Sequence, residues 1–436
     1  MRPCSSVVFA ACVAATVMTR GAAAQSGLSA AERQMREHIA QHAEEDVALL
    51  ARAVNINSGT LNFAGVRAVG DLFRSALDSL GFQTRWVALP DAVKRAGHLI
   101  AEHAGKPGGS RILLIGHLDT VFEGEGQQWV RTDSSAQGAG SSDMKGGDVI
   151  MIAALKALRA VDALRDANIT VILHGDEESP GLPLSESRRD VTELARRSDI
   201  GLAFEGGSRS DASVSRRGSS TWLLTVSGRG AHSAGVFGNN YGAIYEAARI
   251  LDGFRREIAG EKYLTFNAGV IVGGTDVTWD TTRLAGTAAG KTNIIPQTAT
   301  VPGDLRFITE AQKDSTRTRM RAIVDQHLPG TSAEIKFEDA YPAMPPTAGG
   351  ARLVALFDSV SQALGYGPVR AQDPGSRGAG DVSFVAPYID GMDGLGALGA
   401  GAHTPRERVN LNSLVMQAER SAALIYRLLQ APPIHR

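Results

Sequence analysis

Two rhythms of apolar and polar positions run along this chain of 436 residues. One repeats every three to four residues and predicts amphipathic helices. The other is a short unbroken apolar run and predicts buried strands. Ser29 followed by Glu32 forms a capping box, so a helix is predicted from there to about Val54. A second helix is predicted over 63–80 and stops at Gly81. Strands follow at 83–89, 98–103 and 111–116. Residues 117–145 carry neither rhythm and read as a long Gly- and Ser-rich loop. Then come a helix over 147–160, a strand at 169–174, a helix near 189–197 and a strand at 200–204. Strand and helix in alternation predict a mainly parallel sheet with helices on its faces.

The order changes near Ser215. Strand 222–228, helix 241–258, strands 264–273 and 298–307, helix 310–327 and strand 333–338 make β-α-β-β-α-β, the split arrangement of a ferredoxin-like sandwich. Its roughly 120 residues suit a domain. The Pro-rich stretch 341–346 reads as the return linker. Beyond it, a helix at 351–364, a strand near 369–372, a short helix opened by Gly380-Asp381-Val382-Ser383, a strand at 395–401 and a helix at 411–429 resume the first pattern. The expected fold is therefore α/β. One domain is built from 25–215 and 341–436, with a second inserted at 216–340.

Composition narrows the partners. The chain is 43% hydrophobic and 21% charged with a net charge of −1, which argues against nucleic acid and polybasic membrane binding and leaves a small molecule or peptide. Arg2, the apolar run 7–18 and Ala22-Ala23-Ala24 have the form of a secretory signal peptide over 1–24, so export to the periplasm or outside is expected. Phe9-Ala10-Ala11-Cys12 is only a faint lipoprotein box. Cys4 and Cys12 are the only cysteines, and both lie in that segment. The mature chain then has no thiolate to offer, and any metal must be held by His, Asp and Glu.

Such residues recur at the predicted strand ends. His117, Glu177-Glu178, Glu205 and His403 each follow an apolar run, and Asp143 follows a Gly-rich turn at a helix entry. In open α/β sheets, functional groups gather beyond the carboxyl ends of the strands. Two imidazoles and three carboxylates suit two divalent cations bridged by one carboxylate and a water. Nitrogen and oxygen ligands fit zinc, with cobalt or manganese as substitutes. Of the paired acids at 177 and 178, one can bind metal while its neighbour moves a proton. Positions i and i+2 of a strand point the same way, so Asp119 is expected to hold one ring nitrogen of His117.

Gly116-His117-Leu118-Asp119-Thr120-Val121, Gly140-Ser141-Ser142-Asp143-Met144-Lys145-Gly146-Gly147, Asp176-Glu177-Glu178, Phe204-Glu205-Gly206-Gly207 and Gly401-Ala402-His403-Thr404 resemble, in order, the motifs of the dinuclear zinc exopeptidases. That family includes glutamate carboxypeptidases, aminoacylases and succinyl-diaminopimelate desuccinylases. The resemblance covers essentially the whole mature chain. It implies that Asp143 bridges two zinc ions, that His117 and Glu205 complete one site, and that Glu178 and His403 complete the other. It implies Glu177 as general base and Asp119 as the partner of His117. In the inserted domain, Gly230-Ala231-His232-Ser233-Ala234-Gly235 resembles the stretch that carries the family's lid histidine, an oxyanion donor often supplied across a dimer interface. Such a donor is worth on the order of 3 kcal/mol. Lys291-Thr292-Asn293-Ile294-Ile295-Pro296 and Asp304-Leu305-Arg306-Phe307 resemble further stretches, implying Asn293 at the reacting carbonyl and Arg306 as a clamp for the substrate carboxylate. Thr404 stands where many relatives have serine. The segments 123–140 and 370–390 match less clearly.

The leading expectation is a zinc-dependent carboxypeptidase of the glutamate carboxypeptidase branch. It would cleave the amide bond beside a free C-terminal amino acid, in small peptides or N-acyl amino acids, and act as a homodimer through the inserted domain. An aminoacylase or dipeptidase of the same family is the near alternative. A binding module that has kept the fold and lost activity is the distant one.

Overall fold

The structure is a computed structural model that describes residues 27–124 and 128–431; the expected signal peptide lies outside them. Six strands form a central sheet in the order Gln83–Val87, His98–His103, Asn168–His174, Arg111–His117, Ile200–Ala203, Asp390–Met392. The first three pair antiparallel, and from Asn168–His174 onward every pair is parallel. Both faces of the parallel part are covered, so its strands read as continuous apolar runs. Ile112 and Leu114 pack into one core cluster and Leu113 and Ile115 into another, as alternation across a pleat requires. Helices Ala30–Val54, Lys145–Ala160 and Leu411–Gln430 pack together on the first face. Helices Arg189–Arg196 and Val382–Val385 lie on the second.

The capping box forms at the first helix. The Ser29 hydroxyl accepts the Glu32 N–H at 3.2 Å, and the Glu32 carboxylate accepts the Ser29 N–H at 2.6 Å. The same carboxylate takes Arg427 Nε at 2.6 Å, which ties the first helix to the last.

Residues Gly218–Gly228, Thr265–Ala268, Thr298–Phe307 and Thr331–Asp339 form an antiparallel sheet in which the first and third strands are central. Helices Gly242–Glu257 and Glu310–Val324 share its core with Leu224, Val226, Phe254, Val301 and Leu305. The chain enters and leaves this sheet side by side. Arg216 and Met344 exchange both backbone hydrogen bonds, at 2.9 and 3.0 Å, and Ser219 N–H donates to Tyr341 O at 2.8 Å.

Several elements differ from expectation. The predicted strand 264–273 is two pieces, Thr265–Ala268 and Val272–Gly274, both on Thr298–Phe307. Arg370–Ala371 pairs only with Asp211–Ala212, outside the central sheet. The apolar run 395–401 is not a sheet strand. Its backbone is held by the Gln417 amide, which donates to Gly396 O at 3.0 Å, and by Glu205 O, which accepts the Gly396 N–H at 2.9 Å. Only Gly399–Ala400 is paired, in a small antiparallel sheet with Arg408–Asn410, Ser135–Gln137 and Val130–Thr132. The fourth parallel strand is instead Asp390–Met392, three residues with no apolar run to announce it. A hairpin, Asp276–Asp280 with Ala285–Ala289, also went unpredicted because its residues are largely exposed.

Leu114 is fully buried on the strand that ends in His117. Leu114→Ala is expected to destabilise the protein by about 2–5 kcal/mol, read as a lowered urea midpoint for the central sheet.

Candidate metal centre

Three adjacent parallel strands bring their carboxyl ends to one edge. Arg111–His117 ends on His117, Asn168–His174 leads into Glu177 and Glu178, and Ile200–Ala203 leads into Glu205. Asp143 sits in the turn before helix Lys145–Ala160, where the first free N–H groups favour a carboxylate. His403 arrives from a different direction, in a left-handed conformation (φ 61°) just after Gly399–Ala400. The expectation that all the ligands follow central-sheet strands therefore fails for His403.

The side chains nonetheless meet in two groups that share Asp143. His117 Nε2 lies 3.5 Å from one Asp143 oxygen and 3.6 Å from Glu205. His403 Nε2 lies 3.1 Å from the other Asp143 oxygen and 3.2 Å from Glu178. Ligand atoms of His117, Glu177 and Glu205 fall within 4.8 Å of one another, as do those of His117, Asp143 and Glu178. His117 Nε2 is buried and makes no hydrogen bond among the described residues. An orphaned imidazole nitrogen facing carboxylates costs free energy unless a cation sits between them. The donor set, nitrogen and oxygen only, fits a pair of divalent cations.

Asp119 does more than expected, and differently. His117 Nδ1 contacts its main-chain oxygen at 3.0 Å, while the carboxylate is 3.5 Å away. The fully buried carboxylate instead accepts the Glu177 N–H at 3.0 Å, the Glu178 N–H at 3.1 Å and the Thr60 hydroxyl at 2.6 Å. Past the strand end the backbone turns, so the i, i+2 rule no longer aims the side chain. Asp119 thus holds the loop of the two acids, and Thr60 holds Asp119. The Tyr341 hydroxyl donates to Glu177 O at 3.2 Å. Buried Arg188 clamps Asp176 at 2.7 Å and Asp381 at 2.8 Å beneath that loop. Asp393, paired with buried Arg216, accepts the Glu205 N–H at 3.3 Å. Sequence reasoning missed Thr60, Tyr341, Arg188 and Asp393. Each acts from a distant segment and belongs to no motif.

Burial pushes Glu178 up to about 8 and Glu205 up to about 7, with Asp143 adding to both. Burial also carries Glu177 well above the usual carboxylate range, and the charge of Glu205 adds to it. The hydrogen bond to Asp143 raises His403 to about 9. Without cations, the cluster stores protons.

His232 and Asn293 are brought to each other rather than to this centre. A single bridge joins His232 to Ile294, and Ser233 N–H donates to Asn293 O at 2.9 Å. His232 Nδ1 accepts the Ala234 N–H at 3.1 Å, and no bond joins His232 to the centre among the described residues. Arg306 pairs with Asp304 at 2.6 Å and lines a groove of about 380 Å³ that also exposes Glu177, Glu178 and Tyr341.

Two imidazole–acid groups that share one carboxylate, with a further acid alongside at the edge of a parallel sheet, suit metal-assisted hydrolysis. The chain belongs to the peptidase family M20/M25/M40, whose model matches residues 113–427. It is similar to carboxypeptidase G2 of a Pseudomonas species, 26% identical over 98% of this chain and 99% of that one. It is also similar to succinyl-diaminopimelate desuccinylase of Delftia acidovorans, 29% identical over 59% of this chain and 67% of that one. Among solved structures, the aminopeptidase PepT of Bacillus cereus shares the fold with a TM-score of 0.72 at 19% identity, covering 88% of this chain and 98% of that one.

Two outcomes are expected. The folded, metal-free protein keeps protons on Glu178, Glu205 and His403 at a pH where the unfolded chain has released them. The stability that these three groups contribute is therefore full below about pH 4.5 and declines as pH rises toward 9. Melting curves across that range should show the decline, and saturating divalent cation should remove it. Thr60→Val should lower amide hydrolysis about 10- to 100-fold with an unchanged circular dichroism spectrum.

Proposed function

We propose that this protein is an exported carboxypeptidase that releases a C-terminal amino acid from a small peptide or N-acyl amino acid. The observation that carries this is the groove in which Arg306 shares a wall with Glu177 and Glu178. A guanidinium that lines the same groove as the acids suits a substrate carboxylate. The end-to-end similarity to carboxypeptidase G2 supports the same reading. So does the His117-Leu118-Asp119-Thr120-Val121-Phe122 stretch, which suits the glutamate carboxypeptidase branch.

In this reading His117, Asp143 and Glu205 hold one zinc ion, and Asp143, Glu178 and His403 hold the other. Bound there, the two ions would supply a water of lowered pKa and polarise the amide carbonyl. Glu177 takes the proton from the attacking water and delivers it to the leaving amine. Its raised affinity for a proton suits that exchange. Asp119 and Thr60 keep Glu177 and Glu178 in register. Arg306 orients the carboxylate, and Asp304 holds the Arg306 fork in place.

The sheet spanning 218–339 serves as lid and dimer contact. Phe237 and Tyr245 meet edge to face with ring centres 5.0 Å apart, and both are exposed, as are Ile244, Val270 and Ile271 of the same segment. The pairing of His232 with the Asn293 segment, away from the same chain's acids, supports delivery of both to a second copy's site. There His232 would donate to the developing oxyanion.

With metal-stripped protein and a panel of N-acyl amino acids and dipeptides, zinc should restore release of the C-terminal residue. Glu177→Gln should cut turnover about 10²- to 10⁴-fold while metal content is unchanged. Unaltered turnover in that variant would sink the mechanism. Glu177→Gln and His232→Ala, each inactive alone, should recover roughly a quarter of wild-type turnover when co-assembled as a dimer. A fully active monomer in the ultracentrifuge would remove the trans role.

A further inference from the structure

Glu407 lies outside every ligand motif, four residues beyond His403, and is only 1% exposed. One carboxylate oxygen accepts the Gly140 N–H at 3.1 Å. The other accepts the Ser142 N–H at 2.9 Å, the Ser142 hydroxyl at 3.2 Å and the Asp143 N–H at 3.0 Å. Its own main-chain oxygen accepts the Gly138 N–H at 3.1 Å, and Pro405 O accepts Gln137 Nε2 at 2.9 Å. The loop of His403 is thus stitched to the turn of Asp143, with Glu407 supplying most of the stitches.

The two imidazoles depend on this stitching unequally. His117 is 1% exposed and ends a central-sheet strand, so packing and the ladder hold it. The His403 side chain is 57% exposed and follows a two-residue strand. The contacts that orient its ring are Asp143 and Glu178 themselves. The distance of His403 from Asp143 follows from the path between their backbones, which the short ladder of Arg408–Asn410 on Ser135–Gln137 and the Glu407 side chain both span, and of the two only Glu407 reaches the Asp143 N–H.

We infer that Glu407 is a positioning residue for one metal site, the one formed by Asp143, Glu178 and His403. It sets the separation of the bridging carboxylate and His403, while His117 and Glu205 are placed by strands of the central sheet that Glu407 does not touch. This rests on reading the cluster as a pair of cation sites. Glutamine in place of Glu407 keeps one acceptor oxygen but loses the charge that strengthens its bonds and turns an NH2 donor toward a backbone N–H that needs an acceptor, so the turn and the loop lose registration. Aspartate keeps the charge but shortens the arm by one methylene, and should fall between.

The test is stepwise cobalt binding to metal-stripped protein, followed by absorption and by competition with a chelator. Wild-type protein should take up two equivalents, and His403→Ala should abolish one step. Glu407→Gln should weaken that same step about 10- to 100-fold and leave the other within about threefold, with Glu407→Asp intermediate. At limiting metal kcat should fall and return with excess metal, while KM stays within about twofold. Equal weakening of both steps, or of neither, would overturn the assignment. If Glu407→Gln does not fold, Ser142→Ala removes only the hydroxyl stitch and should still weaken the His403 step selectively; no effect there would also overturn it. Wild-type protein that binds fewer than two equivalents would sink the dinuclear reading itself, and this inference with it.

Discussion

The centre is organised by a carboxylate that need not touch a metal. Asp119 is sealed from solvent and accepts two consecutive backbone N–H groups, those of Glu177 and Glu178. Each bond to an ionised buried acceptor is stronger than a neutral one, and none can be exchanged for water there. A loop held by two such bonds presents its side chains in a narrow range of directions. Thr60 and the neighbouring His117 fix Asp119 in turn. The strand end, the acid pair and the helix that begins near Thr60 thus become one object.

That object carries a large electrostatic debt. Asp143, Glu177, Glu178 and Glu205 converge on two imidazoles at one sheet edge, where partial burial lets like charges repel strongly. Protons relieve the repulsion in part, as the upward shifts of Glu178 and Glu205 indicate. Bound divalent cations would relieve it further, since a carboxylate must be ionised to hold one. The same crowding would favour doubly charged ions over protons as pH rises.

Most of the scaffold was legible because it obeys local rules. The capping box at Ser29 formed as spaced, and the runs 111–116, 169–174 and 200–204 became adjacent parallel strands that bring the motif residues to one edge. What was not legible depends on distant partners. Asp390–Met392 joins the sheet without an apolar run, because its strand character comes from a place beside Ile200–Ala203. His403 follows an apolar stretch that looks like a strand but spends its hydrogen bonds on Gln417 and Glu205 O. The Asp119 carboxylate stays 3.5 Å from His117 Nδ1 but spends its hydrogen bonds on the Glu177 and Glu178 N–H groups and Thr60, partners that the sequence does not announce. Thr60, Arg188 and Glu407 carry no signal at all, since an ordinary threonine, arginine or glutamate gains its role only from what the fold sets opposite it.

The double crossing at Arg216 and Met344 has a consequence for how the chain can change over evolutionary time. Because the polypeptide departs and returns through neighbouring positions, everything between is, to the central sheet, a single loop with its feet together. The closure entropy of such a loop grows only slowly with its length. Residues between the feet can lengthen, shorten or be rebuilt without moving a strand of the central sheet. The insert can therefore be rebuilt while the edge that gathers the acids and imidazoles stays as it is. The Tyr341 hydroxyl, at one foot and on the carbonyl of Glu177, is where such rebuilding would first reach the loop of the paired acids.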